Sequence, residues 1–258
     1  MYATNFFEEK MLNLMRGESI TAPQTMYLAL FQSNPSDAGT GTEASYTGYS
    51  RMPITFRAPY AQSSGSNIYV LENSVEISFP EASASGNSIT HVAVMDNVTG
   101  GNMWLYGELA LPLAIQAGVT PVFRVASLQW TWEGNISVAY KQKIMNTLRG
   151  VTCANFTPYV GLCDNVGNEF NGTNYARFSV SMTEPAQNSG TGVAYSSNAS
   201  EILSPTAGNA WGILNIIKIF DAATSGNQFA SVTLPNSYNI TTGSAVGFHA
   251  GALTVNIN

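Results

Sequence analysis

Residues 10–17 read KMLNLMRG, and residues 143–150 read KIMNTLRG, a copy displaced by 133 positions. The match continues in both directions. TMYLALF (Thr25–Phe31) returns as TPYVGLC (Thr157–Cys163), GYSRMPITF (Gly48–Phe56) as NYARFSVSM (Asn174–Met182), and MDNVTGGN (Met95–Asn102) as FDAATSGN (Phe220–Asn227). TPVFRVASLQWTW (Thr120–Trp132) closes the first copy and AVGFHAGALTVNI (Ala245–Ile257) the second. The order is the same in both halves, and the spacing shrinks from 133 to 125 as a few loop residues drop out. A period of domain length marks a duplicated domain, since solenoid repeats are only about 20–45 residues long. The reading divides the chain into units 1–136 and 137–258. The joint at Gly134 to Ser137 is short enough to hold the two in a fixed relation.

Each unit opens on a short helix. Phe7, Met11 and Leu14 or Met15 recur at helical spacing. Asn5 is the expected cap, with Glu8 three residues on as its capping-box partner. Arg16-Gly17 and Arg149-Gly150 supply the stop signal: a base beside the negative end of the helix, then a glycine free to turn left-handed. Strand patterns follow. Tyr27–Phe31 is a short apolar run, and Val75, Ile77 and Phe79 alternate onto one face of Ser74–Phe79. Ile89–Met95 is a strand followed by a turn at DNVTGGN, and Val122–Trp132 supplies the final strands. Seven or eight short strands at regular spacing predict a sandwich or barrel. The expected fold is all-β: two tandem β-sandwich domains, each preceded by a short N-terminal α-helix. The long polar loop at Ser33 to Gly48 is expected to be absent or shortened in the second copy.

Composition limits the function classes. Charged residues make up 10 % of the 258, against a usual quarter, and Ser, Thr, Asn and Gly fill the gap. A neutral surface of hydroxyls and amides is readily buried against a partner. The net charge is −6, and the ten basic residues stand singly, so no nucleic-acid groove is expected. MYATNFFEEKMLNLMRG is interrupted by acids and does not read as a signal peptide. No run reaches the roughly 20 apolar residues of a membrane helix. The expectation is synthesis in the cytoplasm, away from membranes. Cys153 and Cys163 are too few for a disulfide framework and read as small buried thiols.

Few groups are available for chemistry. His91 and His249 fall at non-equivalent places within predicted strands and read as packing or surface residues. Asp164–Glu169 (DNVGNE) is similar to a calcium loop but lacks alternating acids, so it reads as an Asx turn. Glu76 aligns with Glu201 on equivalent strands, facing solvent or a partner. Asp96 aligns with Asp221, opening equivalent turns. Gly39–Gly41 and Gly100-Gly101 precede no GK[ST] and are not phosphate loops. Trp104, Trp130, Trp132 and Trp211 are candidates for a sugar platform. Trp130 and Trp132 align with Val255 and Ile257, however, and apolar counterparts favour a core or inter-domain place. Arg16 and Arg149 are candidates for docking contacts, although the helix stop accounts for them. No catalytic, cofactor-binding or metal-ligating residue emerges, and no enzyme is expected.

Four stretches of the first copy resemble a family of tailed-phage structural proteins of the tail-fibre or virion-associated kind: YLALFQSNPSDAGTGTEASYTGYSR (Tyr27–Arg51), VEISFPEA (Val75–Ala82), ITHVAVMDNVTGGNMWLYGEL (Ile89–Leu109) and AGVTPVF (Ala117–Phe123). The second copy keeps the skeleton but loses the glycine-rich loop and has ILSPTA (Ile202–Ala207) in place of the FPEA segment. The resemblance implies a β-sandwich virion component. The tandem design suits one that bridges or anchors other virion structural proteins in the neck, collar or tail-fibre region, and the expectation is several copies per particle and no small-molecule ligand. A capsid decoration or head-fibre protein is the close alternative. A carbohydrate-binding receptor-attachment module is the alternative from another class.

Overall fold

The computed structural model describes residues 1–188 and 191–257. The chain begins with a two-residue strand β1 (Tyr2–Ala3) and helix α1 (Asn5–Asn13), which tightens into a 3-10 turn at Leu14–Arg16. Strands β2 (Met26–Phe31), β3 (Met52–Ile54), β4 (Tyr60–Ala61), β5 (Tyr69–Glu72), β6 (Ile77–Ser78), β7 (Ile89–Met95), β8 (Met103–Leu113), β9 (Val122–Phe123) and β10 (Gln129–Trp132) follow. The second half repeats the series. It runs through α2 (Val138–Met145), β11 (Tyr159–Cys163), β12 (Phe178–Ser179), β13 (Ala186–Gln187), β14 (Ala194–Ser197), β15 (Ile202–Leu203), β16 (Gly212–Phe220), β17 (Gln228–Ile240), β18 (Gly247–Phe248) and β19 (Thr254–Ile257).

The helix starts are built alike. Thr4 caps α1: its hydroxyl accepts from the Phe7 amide at 3.4 Å and donates to the Met103 carbonyl at 2.5 Å. Ser137 does the same for α2, accepting from Tyr140 N at 3.3 Å and donating to Gln228 O at 2.5 Å. One hydroxyl thus satisfies an orphan helix donor and ties the helix to the first residue of β8 or β17. The cap therefore lies one residue before the expected Asn5, because Thr4 is the last residue in extended backbone. Glu8 forms no capping box and is instead buried, 4 % exposed. Both helices stop as expected, on Gly17 at φ +95° and Gly150 at φ +87°.

The sheets are antiparallel and follow the same strand order in the two halves, with the first half adding β1 at one edge. The larger sheet of the first half has the order β1-β8-β7-β2-β3, and that of the second has β17-β16-β11-β12. The place of β1 is taken in the second half by the joint itself: Ile136 bridges Ala230 as Ala3 pairs with Leu105. Smaller sheets β10-β5-β4 and β19-β14-β13 lie in the same order, with two-stranded ribbons β6-β9 and β15-β18 beside them. Registers correspond, so that Tyr27 faces Met95 as Tyr159 faces Phe220. The ribbon β6 is shorter than the alternation suggested. Ile77 and Phe79 are buried, but Val75 precedes the strand and is 50 % exposed.

β2 is apolar on both faces, and this explains its unbroken hydrophobic run. Leu28 and Leu30 enter the main core with Val92, Val94 and Leu105. Ala29 and Phe31 pack on the opposite face with Ala93, Met95 and Met103. The main core does not end at the joint. It runs from Phe7, Met11 and Leu12 through Trp130, Ile136 and Tyr140 to Phe229 and Ile257 as one connected set of buried side chains. Each helix packs on its own long strand and on the small sheet of the other half: α1 on β8, β14 and β19, and α2 on β17 and β5.

Candidate interaction surfaces

The outer loops of each half are held by a duplicated polar clamp. In the first half, the Arg51 guanidinium grips the Glu43 carboxylate at two points (2.8 and 2.7 Å) and donates to the carbonyls of Asn97 and Gly100 at 2.8 and 2.6 Å. Tyr49 donates to Glu43 at 2.8 Å and accepts from Leu30 N at 3.1 Å. The second half repeats every bond. Arg177 grips Glu169 (2.8 and 2.7 Å) and reaches the carbonyls of Ala222 and Ser225, and Tyr175 donates to Glu169 and accepts from Leu162 N. Burial alone would raise both carboxyls. The hydrogen bonds from arginine and tyrosine outweigh it and hold Glu43 and Glu169 below the ordinary carboxylate value. The clamp joins the loop after β2 or β11 to the hairpin after β7 or β16.

The aspartates expected to open equivalent turns do so. Asp96 accepts from Asn102 N and Nδ2 at 2.7 and 2.9 Å, and Asp221 from Asn227 N and Nδ2 at 2.6 and 3.0 Å. Each takes one more donor from the core, but the donors have traded places. Asp96 receives Trp104 Nε1 at 3.2 Å from the long strand, whereas Asp221 receives the Tyr140 hydroxyl at 2.9 Å from the helix. Gly101 and Gly226 have positive φ, and a Cβ on either would stand 2.4 Å from the aspartate oxygen, so each hairpin requires glycine there.

A second duplicated pair escaped the sequence reading. Asn73 donates to the carbonyls of Val75 and Arg124 and accepts from Leu128 N; Asn198 donates to those of Ser200 and His249 and accepts from Leu253 N. Both are buried and pin the loop before β10 or β19. The signal was available, since the two stand 125 positions apart in the aligned register.

The halves differ most in the loop after the first sheet strand. Phe31 bridges Glu43 and Cys163 bridges Glu169, spans of twelve and six positions, so the loop is shortened in the second half as expected. In the first half the extra residues fold on themselves. Gln32 N donates to Thr42 O, Thr40 N to Pro35 O, and Thr42 N to Ser33 Oγ. Pro35 is buried, while Ala38, Gly39 and Thr40 form an exposed tip. The second half closes the gap with an Asx turn in which Asp164 accepts from the Val166 and Asn168 amides and Asn168 Nδ2. Those bonds take up the carboxylate, and the loop is a turn rather than a cation cradle.

The remaining candidates are dispersed. The four tryptophans are 2 to 8 % exposed, so none offers an indole platform. Trp130 stacks on Trp132 at 5.3 Å and meets Phe7 at 5.6 Å inside the first half. Val255 and Gly134 occupy the places of Trp130 and Met1 in the second half, where a cleft of about 280 Å³ opens between Ile136, Ile217, Ile219, Val255 and Ile257. Cys153 and Cys163 are free and buried, and burial pushes each thiol up to about 11. His91 shares a hydrogen bond with Thr90 within β7. His249 lies just past β18, exposed beside Glu201, rather than within a strand. Glu76 and Glu201 are both exposed. Arg16 and Arg149 bond the asparagines of their own helix ends, Asn13 and Asn146. Both also reach across to the other half: Arg16 pairs with Glu184, and Arg149 Nε donates to Phe56 O at 3.2 Å. Among the described residues no cluster of three or more His, Cys, Asp or Glu could hold a metal ion, and no helix is long and apolar enough to cross a membrane.

The model of one protein family, described as podophage GP4 fiber I protein gp80, matches the chain twice, at residues 2–131 and again at 135–256. No curated protein matches the chain.

Proposed function

The chain belongs to the podophage GP4 fiber I protein gp80 family, carrying its pattern in two tandem copies, and from that premise we propose that it bridges or anchors other virion proteins in the neck, collar or tail-fibre region. The units that do this are residues 1–136 and 137–258, made in the host cytoplasm and present in several copies per particle. The observation that carries the reading is the pair of clamped loop clusters. Each half presents loops fixed from below by an Arg–Glu–Tyr clamp, and rigidly held loops on a β-scaffold are the usual carriers of binding function. The two clusters share a foundation but differ at the tip, with a twelve-position glycine-containing loop in one and a tight Asx turn in the other. One chain therefore offers two non-identical contact surfaces, and joining them raises the effective concentration of the second contact once the first is made. The reading assigns no catalytic residue, cofactor, nucleic-acid contact or small-molecule ligand to the chain.

Cryo-electron microscopy of the particle tests this directly. Density for the chain at the neck or tail, touching two different virion proteins, is the expected result. Density distributed over the capsid lattice would instead make the chain a decoration or head-fibre protein.

A further inference from the structure

The contacts between the halves obey a rule that ordinary domain interfaces do not. Ile20 and Cys153 occupy equivalent positions, 133 apart, and they pair with each other: Ile20 N donates to Cys153 O at 2.9 Å, and Cys153 N to Ile20 O at 3.0 Å. A residue meets its own equivalent only on a two-fold axis. The flanking bonds follow the same exchange. Ala22 N donates to Thr152 Oγ1 at 3.2 Å, and the equivalent Asn155 N donates to the equivalent Ser19 Oγ at 3.1 Å. Further out, Arg16 and Arg149 each cross to the other half. Helix α1 lies on the small sheet of the second half through β14, and α2 on that of the first through the equivalent β5.

We propose that this seam is a self-complementary docking face built into the repeat, and that its partner is a second repeat of the same kind. The face consists of the helix, its Arg-Gly stop and the extended segment after it, received by the small sheet of the partner. The tandem chain is then a two-fold pair closed within one polypeptide. The equivalence of the contacts carries the inference: the Ile20–Cys153 pair and the Ala22–Thr152 and Asn155–Ser19 bonds beside it are exchanged as in an isologous dimer, while the bond from Phe156 N to Leu14 O has no counterpart because the equivalent residue, Pro23, lacks an N–H. The exchanged bonds at the axis are backbone and hydroxyl in character, so they survive the sequence drift between the halves. The inference is independent of the chain's place in the particle.

The test cleaves the intact, folded protein. A protease site is inserted between Gly134 and Asn135, and the uncut variant is first shown to melt like the parent. After cleavage, native mass spectrometry reads which fragments remain together on dilution to about 1 µM, a concentration at which an interface of ordinary strength holds. The expected result is an N–C fragment pair, with N–N and C–C pairs growing in on incubation as partners exchange. Fragments that separate into folded monomers, or that aggregate on cleavage, would overturn the docking face. N–C pairs that never exchange would overturn its self-complementarity.

Discussion

At the scale of single residues, the two halves preserve polar anchors better than they preserve surface. Arg51 and Arg177 are almost fully buried, and each has a bidentate carboxylate and two carbonyls to bond. Arg51→Met leaves Glu43 without its partner and is expected to lower unfolding stability by about 3 kcal/mol in urea denaturation. The same clamps set an acid limit. A carboxyl held below its unfolded value contributes stability that is present above that value and lost as pH falls through the folded one. Melting curves are therefore expected to drop steeply below about pH 4.5, less so in the Glu43→Gln, Glu169→Gln double variant. Glu8 acts in the opposite sense. Burial first, then the charges of Asp37 and Glu9, raise its carboxyl to about 7, against a smaller lowering by the Gln187 amide. Its folded form holds a proton that the unfolded chain releases, so stability falls as pH rises from about 4.5 to 7 and stays lower above that. Glu8→Gln is expected to remove this slope and to stabilise the protein at pH 8, on the order of 2 kcal/mol; an unchanged melting point at that pH would refute the burial account. The sequence showed Tyr49, Arg51 and their counterparts inside a matched strip but not Glu43 and Glu169. A loop of unequal length precedes those two, and it breaks the visible alignment just where the carboxylates stand.

At the scale of elements, the helix stops, the hairpin turns and the order of strands could be read from the residues, because each rests on local chemistry: a left-handed glycine, an aspartate bonding its own turn, an apolar run. The ends of the short ribbons could not. Val75 continues the alternation of Ile77 and Phe79, yet it lies outside the strand, because β6 has only the two-residue β9 to pair with. The loop after β2 provides a test at this scale. Its residues bond to one another and lie outside the clamp, but Asp37 O also accepts from Asn5 N at the start of α1, and Pro35 is buried. Grafting Asp164–Asn168 in place of Gln32–Thr42 is therefore expected to leave the far-ultraviolet circular dichroism close to that of the parent while lowering the melting temperature. If the loop tip is a contact surface, the graft will reduce incorporation of the chain into particles, measured by quantitative mass spectrometry of purified virions.

For the whole molecule, the relation between the halves was not legible. The sequence showed two copies, and the short joint suggested a fixed arrangement, but the segments that meet on the axis, ESITA (Glu18–Ala22) and VTCAN (Val151–Asn155), share almost no side-chain identity. Their pairing uses backbone groups, which leave little trace in composition. Ile20 and Cys153 exchange both hydrogen bonds, and such pairs place Cα atoms about 5.5 Å apart, within reach of a disulfide. Ile20→Cys is accordingly expected to oxidise with Cys153, giving a mass loss of two hydrogens and a tryptic peptide joining residues 20 and 153; a bond to Cys163 instead would contradict the axis. The joint at Gly134–Ser137 has a further consequence. A dimer of separate chains falls apart when diluted, and its melting point drifts with the amount of protein present. Here both partners arrive on one polypeptide, so the midpoint of unfolding should be the same in a dilute sample as in a crowded one. The pair can form within a single molecule, and because the joint always supplies each half with the same neighbour, the two halves can carry different outer loops.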